Sequence, residues 1–276
     1  MITSWNVNQF FGAENWTKLT DDEKLGYWKN KDYMQKAFDF ILSKLAKPDD
    51  LVILNEVPNT KQKNYDVFKK QFTAFYKKNK LTVIEPLNCP ASYGKTVAIC
   101  QNGSYERCYD EIIDLEFGSY RNRILVVRGS ACPQEIVFGV HIPIYESSKQ
   151  PNSVALWNSL ILTHRKISEK GNRIIYIGDI NTYQLGTVNK NKLIEFMSEG
   201  LVDFWLEKGH SHNRATFNSG ARIDYALVTD KDYSALAKKY DMEIDDYTRE
   251  GDKPLSDHSA IMLGTPSELE PFKTKT

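Results

Sequence analysis

Residues 174–181 read IIYIGDIN, in which four β-branched or aromatic side chains lead directly into a glycine and two polar residues. The apolar half predicts a buried β-strand over 173–179, because such residues favour strands. Asp179 and Asn181 then stand where this strand ends. An ionisable group beside a buried strand is costly unless it is paired or holds a metal ion. The stretch therefore indicates a sheet with a chemically active edge.

The same arrangement recurs along the chain, where polar residues end or interrupt other apolar runs. These residues are Asn6, Glu56, His141, Asp224 and the pair Asp257 and His258. Each is weak evidence alone, since an Asp often serves only to form a turn with its own backbone. Together they supply carboxylates, amides and imidazoles without a thiolate, which is the ligand set of Mg²⁺ or Mn²⁺ rather than of zinc.

Short apolar runs alternate with longer segments of helical period, a pattern typical of a layered α/β or α+β domain. Strands are predicted at 2–8, 51–57, 81–86, 95–101, 123–130, 135–142, 173–179, 222–229 and 258–263. Helices are predicted at 33–47, 62–79 and 152–169, where apolar residues recur at steps of three and four. No linker or repeat interrupts the chain, so we predict one domain over 1–265 and a C-terminal tail over 266–276.

Six short motifs resemble, in their order along the chain, those of the endonuclease/exonuclease/phosphatase superfamily, which includes DNase I-like nucleases. They are SWNVN at 4–8, LNEV at 54–57, GVH at 139–141, GDIN at 178–181, RIDY at 222–225 and SDH at 256–258. No motif is specific alone, but the ordered set spans residues 3–263. The resemblance implies a four-layered α/β/β/α sandwich of two packed mixed β-sheets flanked by helices, with the site in loops at one rim.

The resemblance also implies a Mg²⁺-dependent hydrolase, with Mn²⁺ as a possible substitute, and a role for each motif residue. Glu56 would be the main metal carboxylate, with Asn6 and Asp257 near the ion. Asp179 would position or deprotonate the attacking water. Asp224 would orient His258, whose imidazole would stabilise the transition state.

Contacts to the phosphate or substrate complete the set that the resemblance implies. His141 would donate a hydrogen bond to the phosphate, and Asn181 would form a hydrogen bond with the scissile phosphate. Further contacts are expected from Asn8, Arg222 and Arg123, with Arg121 as a less favoured alternative to Arg123.

Three departures from the family pattern bear on the substrate. The usual Phe of GD-F-N is Ile180, a conservative apolar change. His141 is followed by IPIY at 142–145 rather than a leucine-rich continuation, which predicts a remodelled loop. Secreted DNase I-like members orient the equivalent histidine with a second Glu, and no acid lies near 93–96. His141 is therefore expected to be a neutral donor or to have a partner elsewhere.

The balanced charge of the chain is compatible with three different functions. Lys and Arg together number 36, as do Asp and Glu, so no global positive field holds long nucleic acid and any contact must be local. The favoured function is a nuclease acting on DNA or RNA. The alternatives are a phosphatase or phosphodiesterase of a small phosphorylated molecule (a nucleotide, an inositol phosphate or a phospholipid head group) and a non-catalytic binding member of the same fold.

Several side chains outside the motifs are candidates for contacting a nucleic acid. Aromatic and basic residues of the variable loops can stack bases or hold phosphates: Trp16, Tyr183, Trp205, Arg214 and Arg249. A lysine row at 63, 70 and 77 is expected to be the solvated face of an amphipathic helix, although it could also meet phosphates.

The remaining features indicate a cytoplasmic protein with no membrane association and no obligate protein partner. The cysteines have neither C-x-x-C spacing nor partnering histidines, so we expect buried free thiols at Cys89, Cys100, Cys108 and Cys132. The N-terminal residues lack the pattern of a signal peptide. No apolar run approaches the roughly 20 residues that a membrane-spanning helix needs.

Overall fold

The computed structural model describes residues 1–86, 93–108, 118–144, 152–182 and 187–272, and it contains two six-stranded β-sheets. The first has the order β11-β12-β1-β2-β4-β3. Its strands are β1 (Ile2–Asn6), β2 (Leu51–Pro58), β3 (Leu81–Ile84), β4 (Gly94–Gln101), β11 (Asp241–Asp245) and β12 (Ala260–Gly264). Only β1 and β2 of this sheet pair in parallel, so the sheet is mixed.

The second sheet has the order β5-β6-β7-β8-β10-β9. Its strands are β5 (Tyr105–Arg107), β6 (Ile124–Gly129), β7 (Glu135–His141), β8 (Arg173–Asp179), β9 (Leu201–Asp203) and β10 (Asp224–Thr229). Here β7 and β8 form the parallel pair. Each sheet thus has a central pair of strands that run the same way and end at the same edge.

The sheets pack face to face because successive side chains of a strand point to opposite faces. In β2, Leu51 and Ile53 belong to the apolar cluster that includes the second sheet, whereas Val52 and Leu54 belong to a separate cluster on the outer side. The approach is close: a Cβ added to Gly139 of β7 would lie 2.6 Å from a methyl carbon of Ile53. The two inner faces therefore form one continuous core.

Helices cover the outer faces. They are α1 (Asp21–Lys29), α2 (Lys31–Ser43), α3 (Tyr65–Lys78), α4 (Asn152–Ser168), α5 (Val188–Met197), α6 (Phe204–Glu207) and α7 (Asp230–Lys239). Phe38 of α2 and Phe75 of α3 stack at 4.3 Å between centroids in the outer core of the first sheet. On the second sheet, Tyr176 of β8 meets Phe196 of α5 edge to face at 4.9 Å. The predicted four-layered sandwich is confirmed.

The predicted strands and helices are all present, with shifted ends. The first predicted helix spans Lys31–Ser43 rather than 33–47, and the second spans Tyr65–Lys78 rather than 62–79. The strand predicted over 222–229 begins only at Asp224, and the last begins at Ala260. The sequence did not predict β5, β9, β11 or the helices α1, α5, α6 and α7.

The thiols follow the expectation in part. Cys100 and Cys108 are buried and free, as predicted, and Cys89 lies outside the described residues. The prediction for Cys132 was wrong, since its thiol is exposed. Cys132 lies in the turn between β6 and β7, where backbone bonds from Cys132 to Gly129 and from Glu135 to Cys132 close the chain at the surface.

Part of the predicted C-terminal tail packs against the domain. Phe272, inside the predicted tail, packs against the outer core of the first sheet, and its N–H donates to Asp245 Oδ2 at 3.0 Å. The division at residue 265 stays a prediction.

Among the residues that the structure describes, no helix has both the length and the apolar character to cross a membrane.

Candidate active site

The polar strand ends meet at one edge of the sandwich. His141 ends β7 and Asp179 ends β8, and these two residues are register partners in the parallel pair. Asp224 begins β10, which runs antiparallel to β8, so it also pairs with Asp179. Asn6 ends β1 in the facing sheet. Sheet topology thus gathers side chains from distant parts of the chain.

Gly178 permits the close pairing behind Asp179. Its φ is +145°, a conformation that residues with a side chain rarely adopt. A Cβ at this position would lie 2.0 Å from the carbonyl oxygen of Val140 and 2.8 Å from Asn55 Nδ2. The glycine of the GDIN motif is therefore required by packing, and it brings β8 close to both β7 and the first sheet.

Asp179 is the hub of the hydrogen bonds across the two sheets. Its Oδ2 accepts from Asn6 Nδ2 at 2.9 Å and from Asn181 Nδ2 at 3.0 Å, while Oδ1 accepts from the Asn181 N–H at 2.9 Å. The residue is only 1% exposed. Burial raises the pKa of Asp179 well above its ordinary value, although the charge on His258 opposes that rise. A carboxyl group held in this way is suited to exchange a proton near neutral pH.

His258 is bound by a second carboxylate. Its Nδ1 lies 2.9 Å from Asp224 Oδ2, and its Nε2 lies 3.9 Å from Asp179 Oδ2. Burial alone would lower the pKa of His258, but the charge of Asp224 and the hydrogen bond to it outweigh burial and raise the pKa to about 10. The imidazole is thus a cation at neutral pH, with Nε2 turned toward the Asp179 side of the cluster.

Glu56 and His141 form a third pair. A shift of register between Leu54 and Val57 and a φ of +58° at Glu56 turn this residue out of the strand. Its Oε1 lies 3.2 Å from His141 Nε2. Burial and the nearby Arg123 guanidinium lower the pKa of His141 to about 4, so the ring is neutral at pH 7. Sequence reasoning found no acid for His141 near 93–96, and the structure shows that the partner is Glu56 itself.

The pKa of Glu56 reflects the same surroundings. Burial acts to raise the pKa, but the hydrogen bond with His141 and the charge of Arg123 lower it to about 2. Arg123 Nη1 lies 3.1 Å from His141 Nε2 and 3.4 Å from Nδ1. Since Nε2–H of the neutral ring is directed to Glu56, the guanidinium cannot also donate to that nitrogen and contacts the ring instead. Glu56 is therefore a permanent anion beside a cation.

Left-handed backbone is concentrated around these residues. Positive φ angles occur at Asn8, Gln9 and Phe10, directly after β1, and again at Glu56 and Asn181. Such conformations cost of order 1–3 kcal/mol each outside glycine and are typical of functional sites. Asn8 also fixes the following loop, because its Nδ2 donates to the carbonyls of Gly12 and Glu14, both at 2.8 Å.

The donor set fits a hard divalent cation. Glu56 and Asp257 have side chains 21% and 20% exposed, so their oxygens reach the open space, whereas the Asp179 side chain is only 1% exposed and already accepts three hydrogen bonds. Within the described part of the chain, no group of three or more His, Cys, Asp or Glu side chains is arranged to hold a metal ion. Mg²⁺ needs no such group, since it is commonly held by one or two carboxylates while it keeps several waters. Glu56 and Asp257, with Asn6 beside them, match that pattern.

A cavity of about 640 Å³ opens over the cluster. Nine of its lining residues were predicted for the site: Asn6, Asn8, Glu56, Arg123, His141, Asp179, Asn181, Asp257 and His258. Asp224 lies behind His258 and is 2% exposed. The walls come from the segment Ala13–Thr17, from Pro143 and Ile144, and from Phe217 and Asn218.

Arg222 is the predicted site residue that the structure does not bring to the cluster. Its guanidinium forms a two-pronged ion pair with Asp203, at 3.2 and 2.5 Å, and lies 4.4 Å from the Tyr225 ring centroid. The pairing holds the end of β9 against β10, since Asp203 and Tyr225 belong to these strands. Its position therefore gives no support to a phosphate contact.

Of the aromatic and basic residues predicted to contact a nucleic acid, one lines the cavity, and three others that the structure describes do not. Trp16 lines the cavity. Trp205 is 5% exposed, and Arg214 and Arg249 are both paired with Asp246. Tyr183 lies outside the described residues. Of the predicted lysine row, Lys63 pairs with Asp21 on the surface.

Sequence reasoning missed the small hydroxyl residues that hold the site. Ser256 Oγ donates to the Asn6 carbonyl at 2.6 Å and accepts from the His258 N–H at 3.1 Å, which ties β1 to the last motif. Thr216 Oγ1 accepts from the N–H groups of Ile223 and Asp224. Ser256 could have been found from its place in the SDH motif, but nothing in the sequence marks Thr216.

Comparison with known proteins gives a result for the fold. No family model and no curated protein matches the sequence. Among solved structures, an AP endonuclease from Archaeoglobus fulgidus is similar at 17% identity and a TM-score of 0.63, over 95% of this chain and 97% of that one. The 3′ phosphatase NExo from Neisseria, bound to a product DNA hairpin, is similar at 15% identity and a TM-score of 0.62, with the same coverage.

A third similar structure is truncated TDP2 from Caenorhabditis elegans, at 16% identity and a TM-score of 0.57, over 94% of both chains. Because each match extends along nearly the full length of both chains, the likeness concerns the whole sandwich rather than a shared piece. The chain has the fold of the endonuclease/exonuclease/phosphatase (DNase I-like) superfamily.

Proposed function

We propose that this chain is a Mg²⁺-dependent phosphodiesterase that cleaves nucleic acid by in-line attack of water. The observation that carries the proposal is that two strand-end carboxylates, Glu56 and Asp179, meet the protonated His258 at one cavity. A phosphodiester is an anion that repels its nucleophile, so hydrolysis needs a proton acceptor together with cationic groups that offset the growing charge.

Asp179 has the position and the pKa of a general base. Asn6 and Asn181 fix its carboxylate by hydrogen bonds, and burial holds its pKa above the ordinary range. These features allow it to take a proton from a water in the cavity without turning away from it. Mg²⁺ held by Glu56 and Asp257, with Asn6 close by, would supply the positive charge that draws in the phosphate.

The other side chains supply donors to the phosphate. His258 presents Nε2–H as a charged donor, and Asp224 fixes the ring because it accepts from Nδ1 at 2.9 Å. Arg123 adds a second cation to the cavity. Positioned donors of this kind act mainly on the charge that develops in the transition state. Asn181, Asn8 and His141 line the same space and are assigned to the orientation of the phosphate.

Nucleic acid is favoured as the substrate by the proteins that share the fold. One similar structure is an AP endonuclease, and another is a 3′ phosphatase bound to product DNA. The balanced charge of this chain argues for contacts limited to a short stretch of strand, since long electrostatic tracks need an excess of Lys and Arg.

A second candidate is hydrolysis of a small phosphate ester, and the size of the cavity favours it. About 640 Å³ lies within the range of roughly 300–1,000 Å³ that is usual for small-ligand sites.

A substrate panel tests both candidates. Supercoiled plasmid, single-stranded DNA, RNA and a set of small phosphate esters are incubated with Mg²⁺, with Mn²⁺ and with a chelator, with Asp179→Asn and His258→Ala as inactive controls. Metal-dependent cleavage of the polymers alone supports the nuclease, and turnover of the esters alone supports the second candidate. Binding of strands without cleavage under any metal condition would contradict both and identify a non-catalytic member of the fold.

A further inference from the structure

Two aromatic rings pack together beside the cavity, and one of them, Trp16, lines it. The centroids of Trp16 and Tyr93 lie 5.5 Å apart, with an angle of 47° between the ring planes. Trp16 lines the cavity and also packs against the outer core of the first sheet, so its position is fixed. Tyr93 is 40% exposed, so part of its ring is accessible from solvent.

Both rings are attached to backbone that the site itself fixes. Trp16 belongs to the loop that Asn8 holds through its bonds to the Gly12 and Glu14 carbonyls. Tyr93 precedes Gly94, whose added Cβ would lie 3.2 Å from the Cα of Glu56, and the Tyr93 carbonyl accepts from the Asn59 N–H at 2.8 Å. The backbone that carries Tyr93 therefore lies next to Glu56.

Two ammonium groups accompany the rings. Lys61 Nζ lies 4.2 Å from the Tyr93 centroid, and Lys24 Nζ lies 5.4 Å from the Trp16 centroid. Aromatic faces that stack bases, combined with cations that meet phosphates, are the usual elements of a site for single-stranded nucleic acid. A small phosphate ester without a base would gain nothing from the rings.

We infer that Trp16 and Tyr93, with Lys24 and Lys61, form a subsite that stacks a nucleobase of a single-stranded nucleic acid next to the phosphate held in the cavity. This inference rests on the proposed function for the identity of the substrate. The occupant is a base rather than a peptide side chain, because the cations beside the rings complement a phosphodiester backbone. The subsite selects strands with an accessible base and does not depend on duplex structure.

A double-mutant cycle in binding tests the subsite without relying on turnover. Fluorescence anisotropy measures the Kd of a short labelled single strand in the presence of chelator, for the wild type and for Trp16→Ala. The same measurement is repeated with a strand of equal charge that lacks bases. Because stacking of one base contributes a roughly 5- to 100-fold gain in affinity, Trp16→Ala should weaken binding of the base-bearing strand by a factor in that range. The effect should disappear with the abasic strand, because either change removes the same contact.

Further variants separate stacking from other causes. Trp16→Phe should restore most of the affinity, and Tyr93→Ala should repeat the loss. Leu206→Ala, which removes another side chain that is 40% exposed and does not line the cavity, should change nothing. Lys61→Gln should weaken both strands equally and reduce the salt dependence of binding. The same measurements with a DNA strand and with an RNA strand identify the preferred sugar.

The inference is overturned if Trp16→Ala weakens the base-bearing and abasic strands by the same factor, or weakens neither. Thermal unfolding of each variant separates a local loss from a damaged fold. The two failures are distinguishable, because the proposed function fails if metal-dependent hydrolysis is absent, whereas the subsite fails if Trp16→Ala leaves base-specific binding unchanged.

Discussion

Asp179 and Asp224 are register partners on the neighbouring strands β8 and β10, so two carboxylates lie side by side at the edge of the second sheet. Both residues are at most 2% exposed. Two carboxylates on register partners repel each other when both are ionised and water is excluded. His258 relieves that repulsion, since Nδ1 lies 2.9 Å from Asp224 and Nε2 lies 3.9 Å from Asp179. The charge of Asp224 therefore raises the pKa of both Asp179 and His258.

Asp224→Asn should lower the pKa of His258 from about 10 toward its ordinary value of 6.5, because the substitution removes the largest charge that favours the protonated ring. An NMR titration of the imidazole protons measures this shift. Activity of the variant should then decline above neutral pH, where the wild type remains active. Asp252→Asn, at an exposed position away from the cavity, is the control. An unchanged His258 pKa in Asp224→Asn would refute the pairing.

The same pair predicts how stability varies with pH. The pKa of His258 in the folded chain, about 10, is above its ordinary value of 6.5, so protonation stabilises the fold fully below pH 6.5. This contribution is lost as the pH rises through about 10. The free energy of unfolding, measured in urea across this interval, should fall more steeply with pH in the wild type than in Asp224→Asn. Parallel curves for the two proteins would contradict the assignment.

Asp179→Asn should reduce turnover by roughly 10²- to 10⁴-fold, the usual effect of losing a general base. The shape of the side chain is retained, but its NH2 group replaces one carboxylate oxygen and then faces a donor, either the Asn6 and Asn181 side-chain amides at Oδ2 or the Asn181 N–H at Oδ1. We therefore also expect a loss of about 1–3 kcal/mol in stability. Initial rates on the best substrate and a chemical unfolding curve give the two values. A folded variant with wild-type rates would rule out Asp179 as the base.

Glu56→Gln should weaken Mg²⁺ binding, because it removes a carboxylate of β2 that lines the cavity and is 21% exposed. In the wild type, added Mg²⁺ should raise the Tm, since an ion that binds only the folded state stabilises it. The variant should need a higher concentration for the same increase and for half-maximal activity. Glu14→Gln, another acid of the same cavity, is the matched control. Equal metal responses in the Glu56 and Glu14 variants would exclude Glu56 as the main ligand.

Gly178→Ala should destabilise the fold by more than about 3 kcal/mol, because the new Cβ would lie 2.0 Å from the Val140 carbonyl at a φ of +145°. Gly209→Ala is a suitable comparison, since that glycine also has a positive φ, of +81°, but has nothing within 4 Å of the added Cβ. Its loss should be about 1–2 kcal/mol. Unfolding curves for both variants measure the difference in the free energy of unfolding. Equal losses of stability would show that β8 can move away from β7 to make room for the new Cβ.

Local patterns were sufficient to predict the strands, the main helices and a layered α/β or α+β domain, whereas the four-layered sandwich and the grouping of the polar residues were implied by the resemblance of six ordered motifs to a known superfamily. Strands such as 173–179 are continuous apolar runs, and each ends in the polar residue that lines the cavity. In the structure, strand direction then places Asn6, His141 and Asp179 at one edge. The roles of these residues stay predictions, since their chemistry has to be measured.

What the sequence did not predict depends on tertiary contacts or on weak patterns. Helix α1 buries only Trp28 and has no apolar stripe, although its capping box between Thr20 and Glu23 is a local signal that could have located it. Arg222 lies within a motif, but its long side chain pairs with Asp203, 19 residues earlier. Strand β11 is short and alternates acidic with apolar residues, so its place at the edge of the first sheet follows only from pairing with β12.

The position of β12 has a consequence for biosynthesis. This strand lies between β11 and β1, so the first residues of the sheet to leave the ribosome lack their neighbour until residues 260–264 have been translated. Asp257 and His258 emerge at the same late stage. A nascent chain that already contains Glu56 and Asp179 therefore lacks Asp257 and His258 until residue 258 has been translated, and the cavity that all four residues line cannot be completed before then.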